Sequence, residues 1–420
     1  MNVDLFRRVD RLVGVPLCFA LSVLDRLRPR RPRGVATWPP RRILLLKLPE
    51  MGSVVLLHPL LERARQRWPE CEIWLVTFEE SRAVVALLGS IPAERVLTIS
   101  TRGPGRFVAS VVRVLAQVRA LGFDAVIDLE FFARFSALFA YLTRAQSRVG
   151  FHRFHTEGLY RGALLTHPVA YNPYLHTAHA FLTLLEALAH DPSEAPLVKD
   201  RVASLALPMP RFVPRPEESR DLATRLDVLA GTRVADRPLY LLNPNASELI
   251  PIRRWPVERY VELAERLLAD PRALLALIGS SDDRPAANAI CARISSPRLL
   301  NLAGTTSVRE LVTLFTLATA LVSNDSGPAH FASLTDLPTV TLFGPETPQL
   351  YGPLGPHQTN LYAGFACSPC VTAHNHRHSA CQRARCLEAI SVEQVLAALD
   401  AMIAKRDSSR TPSPRLRVVS

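Results

Sequence analysis

The chain is expected to fold as two α/β domains, each a doubly wound parallel sheet with helices on both faces. Short apolar runs alternate with amphipathic stretches of helical period, which is the pattern of strands linked by crossover helices. This alternation stops at a proline-rich segment and then starts again. A length of 420 residues also exceeds what one hydrophobic core usually organises.

The first domain is expected over residues 41–210. Its predicted strands are apolar runs at 43–48, 72–77, 95–99 and 125–129. Residues 57–67 and 107–121 repeat apolar side chains at three or four positions, as one buried face of a helix requires. Strands joined by such helices pair in parallel, so a parallel sheet is predicted.

Residues 205–216 contain four prolines and no regular period, which favours an interdomain connection. The second domain is expected over residues 211–404, with strands at 239–243, 273–279, 298–302, 320–323 and 339–343. Ligands bind at the carboxyl ends of the strands in such sheets, and we expect the two domains to share a cleft. Residues 405–420 are rich in Ser, Pro and Arg and are expected to be disordered.

Residues 1–40 are expected to form a basic and apolar extension at a membrane surface. The apolar run at 12–24 is shorter than the roughly 20 residues that a membrane-spanning helix needs. Arginines flank it on both sides, which suits the headgroup layer of an anionic membrane. A signal peptide is disfavoured because no small-residue cleavage site follows. The alternative is a helix that packs on the protein itself.

The net charge of +12 raises the question of nucleic-acid binding, yet only three of the 50 basic residues are lysine. No basic stretch alternates with stacking aromatic residues, and no zinc-finger, RNA-binding or basic-zipper pattern occurs in the sequence. A nucleic-acid partner is therefore not expected. The positive charge suits an anionic ligand or an anionic membrane surface equally well.

Residues 322–330 predict a turn that opens a helix between two strands. Asp325 and Ser326 are favoured at helix N-caps, and Gly327 lets a ligand approach the backbone closely. Free N–H groups at a helix start bind phosphate, so the turn is a candidate diphosphate cradle. His330 is expected one helical turn further on the same side. The alternative is an ordinary capped helix on a doubly wound sheet.

This turn, with the Leu-Phe-Gly-Pro run at 342–345, resembles the nucleotide-sugar segment of glycosyltransferase family 9, the heptosyltransferases of lipopolysaccharide core assembly. Residues 43–60, 243–256 and 301–307 resemble other family segments in the same order. The resemblance covers roughly residues 41–399 and depends on no single motif. It implies the GT-B architecture, in which two Rossmann-like domains face a cleft and transfer requires no metal.

The resemblance implies a donor site in the second domain, where cations, hydroxyl groups and backbone N–H groups stabilise the leaving diphosphate. The family has a phosphate-contacting Lys two residues before a Trp-Pro pair, and Arg253 stands at that place. Asp325 is expected to hold donor hydroxyls or brace the turn. Asp283 is expected near the nucleoside, or as a helix cap. The remaining expected donor contacts are Ser247, Thr305, Ser326, Gly327 and His330.

The acceptor hydroxyl needs a base, and the sequence departs from the family at this point. The family has Gly-Asp, with the Asp as the proposed base, whereas this chain has Gly52-Ser53. A serine hydroxyl does not accept a proton near neutral pH unaided. Three interpretations stay open: Glu50 on the same turn is the base, Ser53 only positions the acceptor, or transfer activity is lost. Lys47 and His58 border the turn and either contact an anionic acceptor or are structural.

Four of the seven cysteines form a C-x2-C-x10-C-x4-C cluster with three histidines inside it: Cys367, Cys370, Cys381 and Cys386. In a reducing cytoplasm this spacing favours zinc over disulfides. Four protein ligands leave no open coordination position, so such a zinc ion would be structural. Similar Cys-Ser-Pro-Cys segments occur in heptosyltransferases without an established catalytic metal, and no cofactor is expected for transfer.

The expected function is that of an inverting glycosyltransferase. It would move a sugar, expected to be heptose from ADP-heptose, to a lipopolysaccharide-core or related glycolipid. The expected location is the cytoplasmic face of the bacterial inner membrane, with the protein bound peripherally. Two alternatives stay open: the same fold with another nucleotide sugar and glycan, and a non-catalytic protein that binds sugar nucleotides or acts as a scaffold.

Overall fold

A computed structural model describes residues 3–27, 39–152, 160–246, 250–375 and 377–410. The chain divides into two compact units. Unit 1 comprises Met1–Pro208 and Val371–His378, and unit 2 comprises Met209–Cys370 and Ser379–Ser420. The sequence predicted that the first domain ends at residue 210. In the structure the first stretch of unit 1 ends at Pro208, two residues earlier.

Unit 1 is built on a six-stranded sheet in which all neighbouring strands are parallel. The strands are β1 (Arg42–Leu46), β2 (Glu72–Phe78), β3 (Val96–Ile99), β4 (Ala125–Asp128), β5 (Ser147–Phe151) and β6 (His167–Val169). The helices are α1 (Val3–Leu12), α2 (Gly14–Leu27), α3 (Met51–Val55), α4 (His58–Arg67), α5 (Arg82–Leu88), α6 (Pro104–Leu121), α7 (Arg134–Leu142) and α8 (Thr177–Glu186). The strand order is β3-β2-β1-β4-β5-β6.

Unit 2 repeats this architecture with a second parallel six-stranded sheet. The strands are β7 (Leu239–Asn243), β8 (Leu274–Leu277), β9 (Leu299–Asn301), β10 (Ala320–Asn324), β11 (Thr339–Phe343) and β12 (Gln358–Tyr362). The helices are α9 (Pro216–Ala230), α10 (Val257–Leu268), α11 (Arg284–Ile294), α12 (Val308–Leu317), α13 (Gly327–Ala332), α14 (Pro348–Tyr351), α15 (Arg385–Glu388) and α16 (Val392–Arg410). The strand order is β12-β11-β10-β7-β8-β9.

Both sheets have the doubly wound Rossmann order, so the predicted fold class is confirmed. Every strand that the sequence predicted is present, with ends that differ by two residues at most. In each unit the direction of the strand order reverses at one point. This point lies between β1 and β4 in unit 1 and between β7 and β10 in unit 2. Loops diverge at such a point and leave a crevice at the carboxyl ends of the strands, where ligands bind.

The described N-terminal residues, 3–27, belong to unit 1. Cys18 of α2 is fully buried, and Asp10 of α1 accepts hydrogen bonds from the backbone of α7. Helices α1 and α2 therefore pack on the rest of unit 1, and the predicted contact with a membrane surface stays a prediction. The arginines at 28–33 lie outside the described residues. Among the described residues, no helix has both the length and the apolar character needed to cross a bilayer.

The predicted disordered tail starts too early. Helix α16 continues to Arg410, and Lys405 donates from its ammonium group to the carbonyl of Pro356 at 2.8 Å. Its buried residues, among them Val395 and Leu399, belong to the core of unit 2, which explains why the helix extends past residue 404. Residues 411–420 lie outside the described part of the chain.

Candidate active site

Polar side chains at the ends of β7 and β10 connect two loops of unit 2. Asn243 ends β7, and its amide donates to Ser323 Oγ at 2.9 Å and to Ser326 Oγ at 2.7 Å. Asn324 ends β10 and donates to the backbone of the loop after β7 at 2.9 Å. These bonds fix Asp325 and Ser326 at the crevice. The sequence analysis did not select the two asparagines, although a polar residue that ends an apolar run was an available signal.

Arg253 is the central charged residue of this crevice. A short 3-10 turn, Pro251–Arg253, carries it to the carboxyl edge of the sheet. Arg253 Nη1 donates to Asp325 Oδ2 at 3.2 Å and to Glu346 Oε2 at 3.1 Å. The three side chains are 12%, 6% and 2% exposed, respectively. The structure thus joins the two residues predicted for the donor site and adds Glu346, which follows the buried strand β11 and was missed.

Burial and neighbouring charges shift the pKa values of two members of the Arg253–Asp325–Glu346 triad. Burial is the largest effect on Glu346 and raises its pKa well above the usual value; Arg253 opposes this effect and the charge of Asp325 adds to it. For Arg253, burial lowers the pKa, but the two carboxyl groups outweigh burial and raise it. Burial therefore favours the neutral form of Glu346, and the neighbouring carboxyl groups favour the charged form of Arg253.

Trp255 holds the segment that carries Arg253. Its backbone N–H donates to Asn324 Oδ1 at 3.0 Å, and its indole N–H donates to a backbone carbonyl before α16 at 3.0 Å. The ring is 1% exposed. Because both the backbone and the indole ring of Trp255 are hydrogen-bonded, the guanidinium of Arg253, two residues earlier, has a defined position. Arg254 donates to the backbone of the loop after β7 at 3.0 Å.

The predicted phosphate cradle lies at the start of α13. Ser326 precedes the helix with extended backbone, but its side chain makes no capping bond and instead donates to a carbonyl of β10 at 3.1 Å. Gly327 is the first residue of this six-residue helix. Asp325 is not an N-cap, because it belongs to the ion pair described above. His330 lies one turn into α13 with a buried side chain.

Other expected donor contacts serve local structure at the same edge of the sheet. Thr305 is exposed, and its hydroxyl donates to the carbonyl of Leu302 at 2.9 Å. Asp283 accepts from both the backbone N–H and the hydroxyl of Ser280 at 2.8 Å. It therefore closes a helix cap, which is the alternative that the sequence allowed. Ser247 lies outside the described residues.

In unit 1, the loops after β1 and β4 meet at the corresponding crevice. Lys47 is 2% exposed, and its Nζ donates to Glu130 Oε1 and to the carbonyl of Pro49, both at 2.9 Å. The same carboxylate oxygen accepts the backbone N–H of Leu48 at 2.7 Å. Burial lowers the pKa of Lys47, and Glu130 opposes this effect. In this arrangement Lys47 has the structural role that the sequence left open.

Glu50 lies at the tip of this turn, directly before α3, and its carboxylate forms an ion pair with Arg377. Arg377 comes from Val371–His378, the segment that returns to unit 1. The Glu50 side chain is 26% exposed. A guanidinium in contact stabilises the charged form of a carboxylate and so makes it a weaker proton acceptor. Glu50 is thus accessible, but it is paired.

Ser53 and His58 have different surroundings. Ser53 donates to the carbonyl of Glu50 through its hydroxyl at 2.8 Å and its backbone N–H at 3.0 Å, so it stabilises the turn. His58 begins α4, and its Nδ1 lies 2.8 Å from the hydroxyl of Ser90. Burial lowers the pKa of His58. The structure therefore joins Ser53 to Glu50 and directs His58 towards Ser90.

Strained backbone occurs in this part of unit 1. Glu50, Phe132 and Arg377 have φ angles of 70°, 56° and 57°. Phe132 is fully buried after β4, and its ring lies 5.4 Å from that of His374, which belongs to the same segment as Arg377. Such conformations cost of order 1–3 kcal/mol each and concentrate at functional sites. This strain supports a ligand site at the turn.

Three of the cysteines expected to bind zinc lie near one another: burial raises the pKa of Cys386, and the neighbouring Cys370 and Cys367 raise it further. Among the residues that the structure describes, no group of three or more His, Cys, Asp and Glu side chains is arranged to hold a metal ion. Cys367 and Cys381 are exposed, whereas Cys386 is buried. Cys370 Sγ lies 3.1 Å from the hydroxyl of Ser379. The donor set as placed does not fit a tetrahedral zinc site.

Comparison with known proteins connects this site to a family. The sequence model of glycosyltransferase family 9 (heptosyltransferase) matches residues 111–380. A lipooligosaccharide heptosyltransferase 2 from Haemophilus influenzae is 26% identical over 324 residues, which cover 76% of this chain and 87% of that protein. A lipopolysaccharide heptosyltransferase 2 from Salmonella typhimurium is 39% identical over 123 residues, or 29% of this chain and 35% of that protein.

Solved structures agree at the level of the fold. ADP-heptose lipopolysaccharide heptosyltransferase II from E. coli superimposes with a TM-score of 0.66 at 21% identity, over 87% of this chain and 99% of that one. A family 9 glycosyltransferase from Veillonella parvula gives a TM-score of 0.65 at 21% identity, over 87% and 97%. Because the family model matches more than half of the chain, and the chain has the two Rossmann-like units of the GT-B type of fold, this protein belongs to glycosyltransferase family 9 and is a glycosyltransferase.

Proposed function

We propose that this glycosyltransferase transfers heptose from ADP-heptose to a lipopolysaccharide-core or related glycolipid, with inversion at the anomeric carbon. The observation that carries the proposal is the buried Arg253–Asp325 pair at the crevice between β7 and β10. The relatives are named as lipopolysaccharide and lipooligosaccharide heptosyltransferases, and one solved structure is named for ADP-heptose. These names support the choice of sugar, donor and acceptor.

In this proposal the donor diphosphate binds beside Arg253. The Nε of Arg253 is buried and has no hydrogen-bond partner among the described residues, so this N–H is available to a phosphate oxygen. The backbone N–H groups of Ser326 and Gly327, at the start of α13, supply further donors. A fixed cation and fixed N–H groups stabilise the negative charge that develops as diphosphate leaves. The proposal includes no metal cofactor.

Asp325 has two roles in the proposal. It pairs with Arg253 and so orients the guanidinium, and it accepts hydrogen bonds from donor hydroxyl groups. Glu346 accepts a second hydrogen bond from the same Nη1 of Arg253, and burial, which raises the pKa of Glu346, favours its neutral form. With Glu346 neutral, the buried site carries one negative charge fewer than it would with both carboxyl groups ionised, which favours an anionic donor.

The acceptor hydroxyl attacks the anomeric carbon on the face opposite the diphosphate. A bond forms between the acceptor oxygen and that carbon, the bond to diphosphate breaks, and the hydroxyl proton passes to Glu50. Glu50 becomes a competent base once Arg377 pairs with an anionic group of the acceptor. The accessible position of Glu50 and the strained turn that presents it support this assignment.

A glycolipid acceptor is held in a membrane, and for this reason we propose a peripheral enzyme on the cytoplasmic face of the bacterial inner membrane. The exposed apolar residues of α2 support this location.

The test begins with thermal unfolding of the purified full-length protein in a panel of ADP- and UDP-sugars. We expect ADP-heptose to raise the unfolding midpoint, since a ligand that binds only the folded state stabilises it. Transfer to a heptose-acceptor core glycolipid is then followed by mass spectrometry, and the anomeric configuration of the product by NMR. Stabilisation by a UDP-sugar alone, or a product with retained configuration, would overturn the proposal.

A non-catalytic sugar-nucleotide-binding protein is the second candidate. The ion pair of Glu50 with Arg377, together with Ser53 in place of an acidic residue, favours it. This candidate predicts stabilisation by a nucleotide sugar without transfer to any core acceptor.

A further inference from the structure

Helix α2 turns its small residues inward and its large apolar residues outward. The buried positions are Gly14, Cys18 and Ser22, one turn apart on a single face. Phe19 is 62% exposed and Leu27 is 76% exposed. A helix that packs on a soluble domain normally buries its largest apolar side chains. The outward face of α2 therefore has the composition of a face that meets an apolar partner.

The small side chains on the buried face of α2 allow close contact with the rest of unit 1. A Cβ on Gly162 would lie 2.6 Å from the carbonyl oxygen of Cys18, so only glycine permits this approach. Ser22 Oγ accepts the backbone N–H of Ala163 at 2.8 Å. Tyr141 on α7 donates its hydroxyl to Asp25 at 3.1 Å. These bonds hold α2 in one orientation, so its outward face is a fixed feature of unit 1.

Asp10 at the end of α1 adds a polar anchor. It accepts the backbone N–H groups of Arg134 and Phe135 at 3.0 and 2.8 Å and pairs with the Arg134 guanidinium at 3.2 Å. Asp10 thus satisfies N–H groups that the first turn of α7 leaves open. The apolar residues around Asp10 remain exposed: Val9, Leu12 and Val13.

Helix α6 also contacts α7 and carries exposed apolar residues of its own. The ring of Phe107 on α6 lies 5.4 Å from that of Phe135, the residue bound by Asp10. The neighbouring Val108 and Val112 are 58% and 61% exposed. Residues 104–121 contain three arginines and no acidic residue. Helices α1, α2 and α6 therefore all contact α7, and all carry exposed apolar side chains.

The charged residues of these helices identify the partner. The exposed basic residues are Arg8, Arg11, Arg26, Arg106 and Arg113. The acidic residues Asp10 and Asp25 are bonded within unit 1. Apolar side chains flanked by arginine match an anionic membrane, whose phosphates bind the guanidinium groups while its acyl chains receive the apolar residues.

We propose that the outward faces of α1–α2 and of α6 together form one docking surface that seats unit 1 on an anionic lipid bilayer. The inference rests on the proposed function only in that a glycolipid acceptor lies in such a bilayer. Membrane contact in this arrangement is made by a rigid surface with two parts. A flexible N-terminal tether would need neither the bonds to α7 nor the valines of α6.

The experiment is cosedimentation of the full-length protein with vesicles, without donor or acceptor. Vesicles of phosphatidylcholine alone are compared with vesicles that contain phosphatidylglycerol. The variants are Phe19→Glu with Leu24→Glu on α2, and Val108→Glu with Val112→Glu on α6. Val228→Glu is the matched control, because Val228 is 78% exposed on α9 of unit 2. Thermal unfolding confirms that each variant is folded.

We expect binding to require phosphatidylglycerol and to fall at least tenfold in each double variant, while the control binds like the wild type. Unchanged binding in both double variants would overturn the proposal, and loss in the α2 pair alone would remove α6 from the surface. If light scattering shows a dimer that the same substitutions dissociate, a second protein copy is the partner instead.

Failure of this surface is distinguishable from failure of the proposed function. Transfer to a water-soluble core oligosaccharide without lipid is expected to be the same in both double variants and in the wild type. Vesicle binding without any transfer would leave the docking surface intact and count against the enzyme assignment.

Discussion

At Arg253, one guanidinium is bonded to two buried carboxyl groups, and this decides how the site treats an anionic ligand. Two ionised carboxylates beside one guanidinium would leave a net negative charge and repel a diphosphate. Burial raises the pKa of Glu346 and so favours its neutral form, which removes this excess negative charge, while the two carboxyl groups keep the pKa of Arg253 raised. Glu346 also holds the guanidinium in place, since its oxygen accepts from Nη1 at 3.1 Å.

The first prediction concerns donor affinity. Arg253→Ala removes the phosphate cation, and Asp325→Ala removes the group that orients it. Each is expected to weaken donor binding about tenfold or more, because a charge-assisted hydrogen bond contributes roughly 1.5–3 kcal/mol. Titration calorimetry with ADP-heptose measures this. Arg259→Ala, which removes an exposed arginine paired with Glu262, is the control and should bind normally. Unchanged affinity in both test variants would mean that the donor binds elsewhere.

The second prediction uses the protonation of Glu346. Its pKa in the folded protein is raised above the ordinary 4.5, so the folded state binds a proton that the unfolded state releases. The stability from this proton is complete below about pH 4.5 and decreases as pH rises towards the folded pKa, by about 1.4 kcal/mol per pH unit. Glu346→Gln should remove this decrease. Urea unfolding of both proteins between about pH 5 and 8 tests it, and parallel stability curves would show that Glu346 is ionised when folded.

The third prediction concerns the base. Glu50→Gln keeps the shape of the side chain but cannot accept a proton, so turnover should fall by about 10²–10⁴ with little change in donor affinity. Ser53→Ala should cost much less, since Ser53 only donates to the carbonyl of Glu50. Initial rates and donor titrations are measured for each variant. Near wild-type turnover in Glu50→Gln would exclude Glu50, and a gain in Ser53→Asp would show that residue 53 still faces the acceptor.

At the scale of secondary-structure elements, the apolar strands inside each sheet were easier to predict than the edge strands. The predicted strands are nearly continuous apolar runs, because a strand inside a parallel sheet is buried on both faces. The sequence analysis missed β5, β6 and β12. β6 has three residues with a proline in the middle, and β12 is a half-buried edge strand with polar residues. Edge strands need fewer apolar residues, so they carry a weaker signal.

The N-terminal helices α1 and α2 are a second case at this scale, because contacts with α7 that the sequence pattern did not reveal hold them on unit 1. The Arg-flanked apolar run suggested an extension that lies outside the cores of both domains. The bonds of Asp10 to α7 predict instead that removal of residues 1–33 exposes Arg134 and the open N–H groups of α7.

The fourth prediction tests that contact. Asp10→Ala leaves the buried Arg134 side chain without its carboxylate and uncaps α7, so the free energy of unfolding should fall by about 2–4 kcal/mol. Asp25→Ala removes only an exposed hydrogen bond from Tyr141 and should change stability by about 0.5 kcal/mol or less. Urea denaturation measures both. Equal effects of the two substitutions would argue against a structural role for Asp10.

At the scale of the whole molecule, the division into two units predicts where ligands act. The fifth prediction is that ADP-heptose protects backbone amides of unit 2 from hydrogen exchange, in the loops after β7, β10 and β11. These loops carry Arg253, Asp325 and Glu346. The turn around Glu50 in unit 1 should respond to an acceptor fragment instead. If ADP-heptose protected amides of unit 1 alone, the donor would bind unit 1, and the assignment of donor to unit 2 and acceptor to unit 1 would be reversed.

The sequence by itself determined the two parallel sheets and the positions of Arg253 and Asp325, because buried strands are apolar and ligand loops follow their carboxyl ends. Only the tertiary structure decided which charges meet. Glu346 joins Arg253, and Arg377 reaches Glu50 by way of a segment that returns to unit 1. These pairs are far apart along the chain and lie in loops without periodicity. Their meeting depends on how the strands are ordered and where the chain turns back, which no local pattern of residues encodes.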